Sequence, residues 1–164
     1  MVRPWYWPKE GQPHRTEAFT WITKGKMAVS WWPDPSVIKT YQKEGIKTII
    51  NCSEFDNRQD IPKSFKYFHI NIPDYGTPTD DQLKRFFKIT SEGSINNDPI
   101  VVHCVAGCGR SGLMIVAWAA HNGFIPKGID PVKWIRKLRS CCLETKEQME
   151  LARKIARKYQ KSIM

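Results

Sequence analysis

Three short apolar runs constrain this chain most: IKTIINC (46–52), YFHINIP (67–73) and PIVVHC (99–104). All carry β-branched or aromatic residues and are too short for a buried helix. The first is rich in β-branched residues and the third is apolar almost without a break, so both read as buried strands. Helical stretches separate them. Asp34 and Pro35 supply an N-cap and a first helical residue, and Gly45 ends that helix. Further helices read over 80–92, 111–121, 130–139 and 146–161. In the last, Met149, Ala152, Ile155, Ala156 and Tyr159 share one face. Arg153, Lys154, Arg157, Lys158 and Lys161 take the other. Upstream, TWITKGKMAVSWW (20–32) reads as two short strands around Lys24-Gly25. Strands alternating with helices predict an α/β fold with a central, mostly parallel sheet covered by helices on both faces. The 164 residues suffice for one such domain and hardly for two. Residues 1–18, with three prolines, read as an irregular arm, leaving 19–164 as the working domain.

No apolar run approaches the roughly 18 residues of a membrane span. The stretch MVRPWYWPKEG lacks the apolar core of a signal peptide, so a cytoplasmic location is expected. Five irregularly spaced cysteines make a disulfide scaffold an unpromising reading, and reduced thiols are expected. No zinc-type Cys/His spacing occurs, so neither a metal nor a cofactor is expected. The formal charge is +10. Residues 124–164 hold eleven Lys/Arg against four Asp/Glu, which makes seven of those ten excess charges. Such a surface suits anionic partners, although a solvated helix face explains it equally well.

The chemistry is concentrated in VVHCVAGCGRSGL (101–113). A buried strand ends at Cys104, a loop holds Gly107 and Gly109, and a helix is expected from Ser111. The glycines let successive N–H groups point inward, and the helix N-terminus adds partial positive charge. Arg110 adds a planar fork that can hold two oxygens of one phosphate. The same field favours a cysteine thiolate at the base. The backbone of Val105, Ala106, Gly107, Cys108, Gly109 and Arg110 thus reads as a phosphate cradle with Cys104 as its nucleophile. Ser111 is placed to donate a hydrogen bond to the departing sulfur. His103 reads as an orienting residue or a satisfied core histidine. A Cys104–Cys108 disulfide would switch such a site off reversibly. No role is apparent for Cys141 and Cys142.

H-C-V-A-G-C-G-R-S (103–111) resembles the H-C-x5-R-S/T signature of cysteine-dependent protein tyrosine phosphatases. The chain from about 19 to 159 is similar to small atypical dual-specificity phosphatases, including archaeal relatives of this size. Ile72-Pro73-Asp74 resembles their general-acid loop, and Glu144-Thr145-Lys146-Glu147-Gln148 their E-T-x-E-Q segment. Ser140-Cys141-Cys142 departs from the Arg-Pro-Gly that relatives often carry. The resemblance implies a dual-specificity phosphatase fold and hydrolysis of phosphotyrosine, phosphoserine and phosphothreonine in proteins through a phosphocysteine.

An acid is needed to protonate the leaving oxygen. Asp74 follows the run 67–73, whose strand should neighbour that of Cys104, at the carboxyl edge where ligands bind in such sheets. Trp32-Pro33-Asp34 spells the acid loop of larger tyrosine phosphatases, but Asp34 is explained as a helix cap. Glu144 and Gln148, four apart, are candidates to position water in the second step. Two alternatives stay open. The basic C-terminal quarter suits RNA 5′-triphosphate ends or phosphoinositides, and a catalytically idle phosphate-binding module would use the same cradle.

Overall fold

Alternate residues of the central strands serve two different cores. The computed structural model describes residues 17–162, so nearly all of the expected arm over 1–18 lies outside the described residues. The chain runs β1 (Phe19–Thr23), β2 (Met27–Ser30), α1 (Pro35–Glu44), β3 (Thr48–Asn51), β4 (Lys66–His69) and α2 (Asp80–Ile95). It continues through β5 (Ile100–His103), α3 (Gly109–His121), α4 (Pro131–Leu138) and α5 (Lys146–Ser162). Met27, Val29, Ile50, Ile100 and Val102 face a large core formed with α2, α3, α4 and α5. Ala28, Ile49, Tyr67 and Val101 face a smaller one with Val37, Ile38 and Tyr41 of α1. This is the two-residue period of a strand buried on both sides. The expected coverage on both faces is present, though unequally divided.

The sheet order is β1-β2-β5-β3-β4, with β1 and β2 antiparallel and every other pair parallel. The strand before Asp74 is therefore not the neighbour of the Cys104 strand, because β3 lies between them. Burial explains the order. All four residues of β5 are buried, as the centre of a sheet demands. In β4 Lys66 is exposed and both Phe68 and His69 are half-buried, as suits an edge. Strand pairing also stops at His69, short of the expected 73, because the residues beyond it outrun the end of β3.

Local signals set the helix ends. Thr79 and Gln82 form a reciprocal capping box that opens α2. Asp130 caps α4 ahead of Pro131. Helix α3 is buried from Gly109 to Ala120 and forms the centre of the larger core. Among the described residues no helix is long and apolar enough to cross a membrane.

Asp34 Oδ1 accepts from Val37 N at 3.0 Å and from Ser36 Oγ at 2.7 Å, with Pro35 in the first turn. Asp34→Ala should therefore cost about 1 kcal/mol of stability, and Asp34→Asn much less. Urea unfolding of the three proteins checks this; equal loss in both variants would contradict the capping role.

Candidate active site

Strand β5 delivers Cys104 to the carboxyl edge of the sheet. Helix α3 begins at Gly109, two residues earlier than expected, so Arg110 and Ser111 lie in its first turn. Cys108, at the N-cap, makes no side-chain cap bond. The first amides of α3 therefore lack a side-chain acceptor from their own cap, the arrangement that favours an anion. Cys104 is 2% exposed, and its Sγ lies 3.3 Å from Ser111 Oγ.

The cradle between them is braced from outside. Gly107 has φ +73°, and a Cβ there would meet the Ser30 carbonyl oxygen at 2.5 Å. Only glycine fits both constraints. The Gly107 carbonyl accepts from Arg139 Nε at 2.7 Å. Arg139 is 3% exposed, and its Nη1 also donates to Glu17 O at 2.6 Å and Thr20 Oγ1 at 2.8 Å. Trp32 N donates to Val105 O at 2.9 Å, which holds the other side of the loop. Ala106 and Cys108 are half-buried.

Arg110 joins three segments of the chain. Its Nη1 donates to Glu54 Oε1 at 3.0 Å and to Ile72 O at 2.9 Å. Its Nη2 lies 3.3 Å from Asp74 Oδ1. Glu54 Oε2 in turn accepts from Asp74 N at 3.1 Å. Burial works against the Arg110 cation, but the Cys104 sulfur and the Glu54 and Asp74 carboxylates outweigh it and hold its pKa above the ordinary value. Burial likewise works against the Glu54 carboxylate, and Arg110 overcomes this to pull it below the usual range. Asp74 thus reaches the cradle although its strand is two places from that of Cys104.

Glu144 precedes α5, so the two E-T-x-E-Q candidates do not share a helical face. They still converge. Gln148 is fully buried, and its Oε1 accepts from Glu144 N at 2.8 Å and Thr145 N at 3.2 Å. Gln148 Nε2 donates to Gly76 O at 3.1 Å, tying α5 to the Asp74 loop. The Glu144 carboxylate lies beside Gly109. Loss of water and the Asp74 charge raise its pKa, against a hydrogen bond from Gly109 N–H.

Glu54 and Arg139 escaped the sequence reading. The carboxyl-edge rule that selected Asp74 applies equally to Glu54, just past β3. Arg139, at the end of a basic helix, is written like any surface cation. The cysteines also need correction. Cys108 is bonded to Cys141, with Cα atoms 5.2 Å apart, and not to Cys104. Packing of the α4–α5 loop against the cradle, invisible in the spacing, brings that pair together. Cys52, Cys104 and Cys142 are free thiols. Cys142 is fully buried, and burial pushes it up to about 12. Among the described residues no group of three or more His, Cys, Asp or Glu is arranged to hold a metal ion.

His103 is fully buried beside Cys104. Its Nδ1–H donates to Cys104 O at 3.0 Å, which fixes the neutral tautomer. Burial holds its pKa down, to about 4. In the unfolded chain it titrates near 6.5. Between these values only the unfolded chain takes the proton, so stability should fall as pH drops from about 6.5 to 4. The loss should reach roughly 2 kcal/mol by about pH 5. Urea unfolding across this range checks it: a flat profile, or one unchanged in His103→Gln, would contradict a buried neutral imidazole.

Comparison with known proteins gives a family and a shared fold. The family model described as "Polymorphic toxin system, DSP-PTPase phosphatase" matches residues 33–124, more than half of the chain. An uncharacterized protein of Methanocaldococcus jannaschii is 28% identical over 100 residues, 60% of this chain and 65% of that protein. For a second protein of that organism, 28% identical over 92 residues, the match spans 55% of its length. The mouse dual specificity protein phosphatase CDC14A is 26% identical over 140 residues, 74% of this chain and 22% of that protein. The chain thus spans less than two thirds of the length of these curated relatives. The crystal structure of Tk-PTP in its active form superimposes with a TM-score of 0.69 at 22% identity, covering 85% of this chain and 97% of that one. PTPMT1 in complex with PI(5)P gives 0.71 at 15% identity, covering 90% and 100%. The chain belongs to the DSP-PTPase phosphatase family, and so to the small dual-specificity branch of the cysteine-dependent tyrosine phosphatase superfamily.

Proposed function

We propose that this chain is a metal-independent phosphomonoesterase that hydrolyses phosphotyrosine in proteins, and phosphoserine and phosphothreonine with it. One observation carries the reading. A cysteine, a hydroxyl, a helix N-terminus that its own N-cap residue Cys108 leaves without a side-chain bond, and an arginine anchored by two carboxylates meet at one edge of the sheet.

In the proposed reaction Cys104 Sγ attacks phosphorus in line with the leaving oxygen. The amides of 105–110 and the Arg110 fork hold the equatorial oxygens. Asp74 donates a proton to the leaving oxygen, so an alcohol or phenol departs. Water then attacks the phosphocysteine and gives its proton to Asp74. Ser111 donates a hydrogen bond to the sulfur as the S–P bond breaks. Glu144, beside Gly109, and Gln148, through the Gly76 carbonyl, set the wall from which that water approaches. Glu54 is a positioning residue: it holds the Arg110 fork and the Asp74 backbone in one frame. His103 orients the strand end beneath Cys104.

The rim supports an aryl substrate. Tyr75 follows Asp74 directly, with φ +60°, and is 57% exposed. Phe55 follows Glu54 and is 56% exposed, with the Trp32 ring against it at 6.4 Å. Flat apolar surfaces at a phosphate cradle suit a phenyl ring better than a serine methylene. A second reading uses the same chemistry on a phosphoinositide headgroup or an RNA 5′-triphosphate end. The fold shared with PTPMT1, solved with PI(5)P, and the basic face of α5 support it.

Cys104→Ser should abolish turnover while inorganic phosphate still binds; a serine variant active above background would remove the nucleophile assignment. Asp74→Asn should lower kcat about 10²- to 10⁴-fold on a phosphotyrosine peptide. The loss should be much smaller on p-nitrophenyl phosphate, whose leaving group needs little protonation. Equal losses on the two substrates would remove the acid assignment. A side-by-side panel of phosphopeptides, phosphoinositides and triphosphorylated RNA decides the substrate class. Salt-sensitive preference for RNA ends would favour the second reading.

A further inference from the structure

The α4–α5 loop grips the cradle from behind at three consecutive points. Arg139 Nε donates to Gly107 O at 2.7 Å. Leu143 N donates to Cys108 O at 3.2 Å. Between them Cys141 is bonded covalently to Cys108, across 33 positions of sequence that contain α3 and α4. The loop does not rest in this shape unaided. Leu143 has φ +69°, a conformation that a branched side chain adopts only when its surroundings impose it. Arg136 holds the same turn through the carbonyls of Cys142 and Leu143, at 2.9 and 2.8 Å. Glu144 follows at once, and Gln148 carries the connection on to the Asp74 loop.

The pair is also separate from the nucleophile. Cys104 remains a free thiol beside Ser111 while the bond between Cys108 and Cys141 is closed. Both bonded cysteines are half-buried and so within reach of small thiols, whereas Cys52, Cys104 and Cys142 are buried.

We infer that Cys108 and Cys141 form a thiol–disulfide site whose oxidised form holds the phosphate cradle in its binding shape, independently of the redox state of Cys104. The partner is a small disulfide of the glutathione class. The Cys141 thiolate attacks one sulfur of that disulfide, forms a mixed disulfide and releases one thiolate, which takes up a proton. The Cys108 thiolate then attacks the Cys141 sulfur, closes the protein bond and releases the second thiolate, which is likewise protonated. Two protein thiols are oxidised and one small disulfide is reduced to two thiols. A reductant therefore acts on this protein in two opposite senses, keeping Cys104 reduced while opening the clamp.

The link to turnover rests on the proposed phosphatase reading; the clamp itself is tested apart from it. The full chain carrying Cys104→Ser is equilibrated with oxidised glutathione or with a dithiol, which removes oxidation of the nucleophile as a variable. Peptide mapping should join Cys108 to Cys141 in the oxidised sample only. The reduced sample should bind inorganic phosphate several-fold more weakly by calorimetry and melt about 4–12 °C lower. Cys141→Ser in the same background should match the reduced sample and stop responding to either reagent. If that variant fails to fold, the reduced and oxidised forms of the parent still decide. Equal phosphate affinity in the two forms would overturn the inference, as would a map joining Cys108 to any other cysteine. Should the wild type hydrolyse no phosphomonoester while these differences hold, the phosphatase reading falls and the clamp stands.

Discussion

A buried guanidinium without partners would cost several kcal/mol, and the carboxyl edge of the sheet is arranged around avoiding that cost. Arg110 is almost wholly enclosed, and it spends Nη1 on Glu54 and the Ile72 carbonyl and Nη2 on Asp74. Those bonds draw the loops after β3 and β4 onto the first turn of α3. They also leave a balanced site. Glu54 and Ile72 O hold the fork from a fixed frame, while Asp74, 37% exposed, is the partner an incoming dianion can displace. In the proposed reaction that displacement frees the carboxylate at the moment an acid is required.

The sheet order makes such convergence possible. With β5 at the centre, β3 beside it and β4 beyond, successive parallel strands end at one edge, and their following loops project to the same side. Helix α5 closes the arrangement through Gln148, whose buried amide serves two backbone donors and one backbone acceptor. The loop after Cys104, the Asp74 loop and the E-T-x-E-Q segment are therefore held together through main-chain groups.

The back of the cradle is held less conventionally. Arg139 lies buried with backbone carbonyls and a threonine hydroxyl as its partners, and burial pulls its pKa below the ordinary arginine value. A cation so placed carries its charge toward the loop. The covalent bond from Cys108 to Cys141 follows two residues along the loop. Together they join the cradle to the first strand and to the α4–α5 connection.

Periodicity and caps determined the elements. The β-branched runs marked β3 and β5, Asp34 and Asp130 opened their helices, and Thr79 opened α2, because these signals act within a few residues of chain. The motif at 103–111 determined the cradle for the same reason: strand, glycine turn and helix N-terminus are contiguous. Tertiary structure alone decided the rest. That β3 separates β4 from β5 depends on which strand can tolerate an edge. Glu54 and Arg139 become site residues only when segments 56 and 32 positions away fold against them. Cys141 finds Cys108 only because α3 and α4 bring their ends together. Interactions between residues distant along the chain are set by packing, and no spacing within the sequence records them.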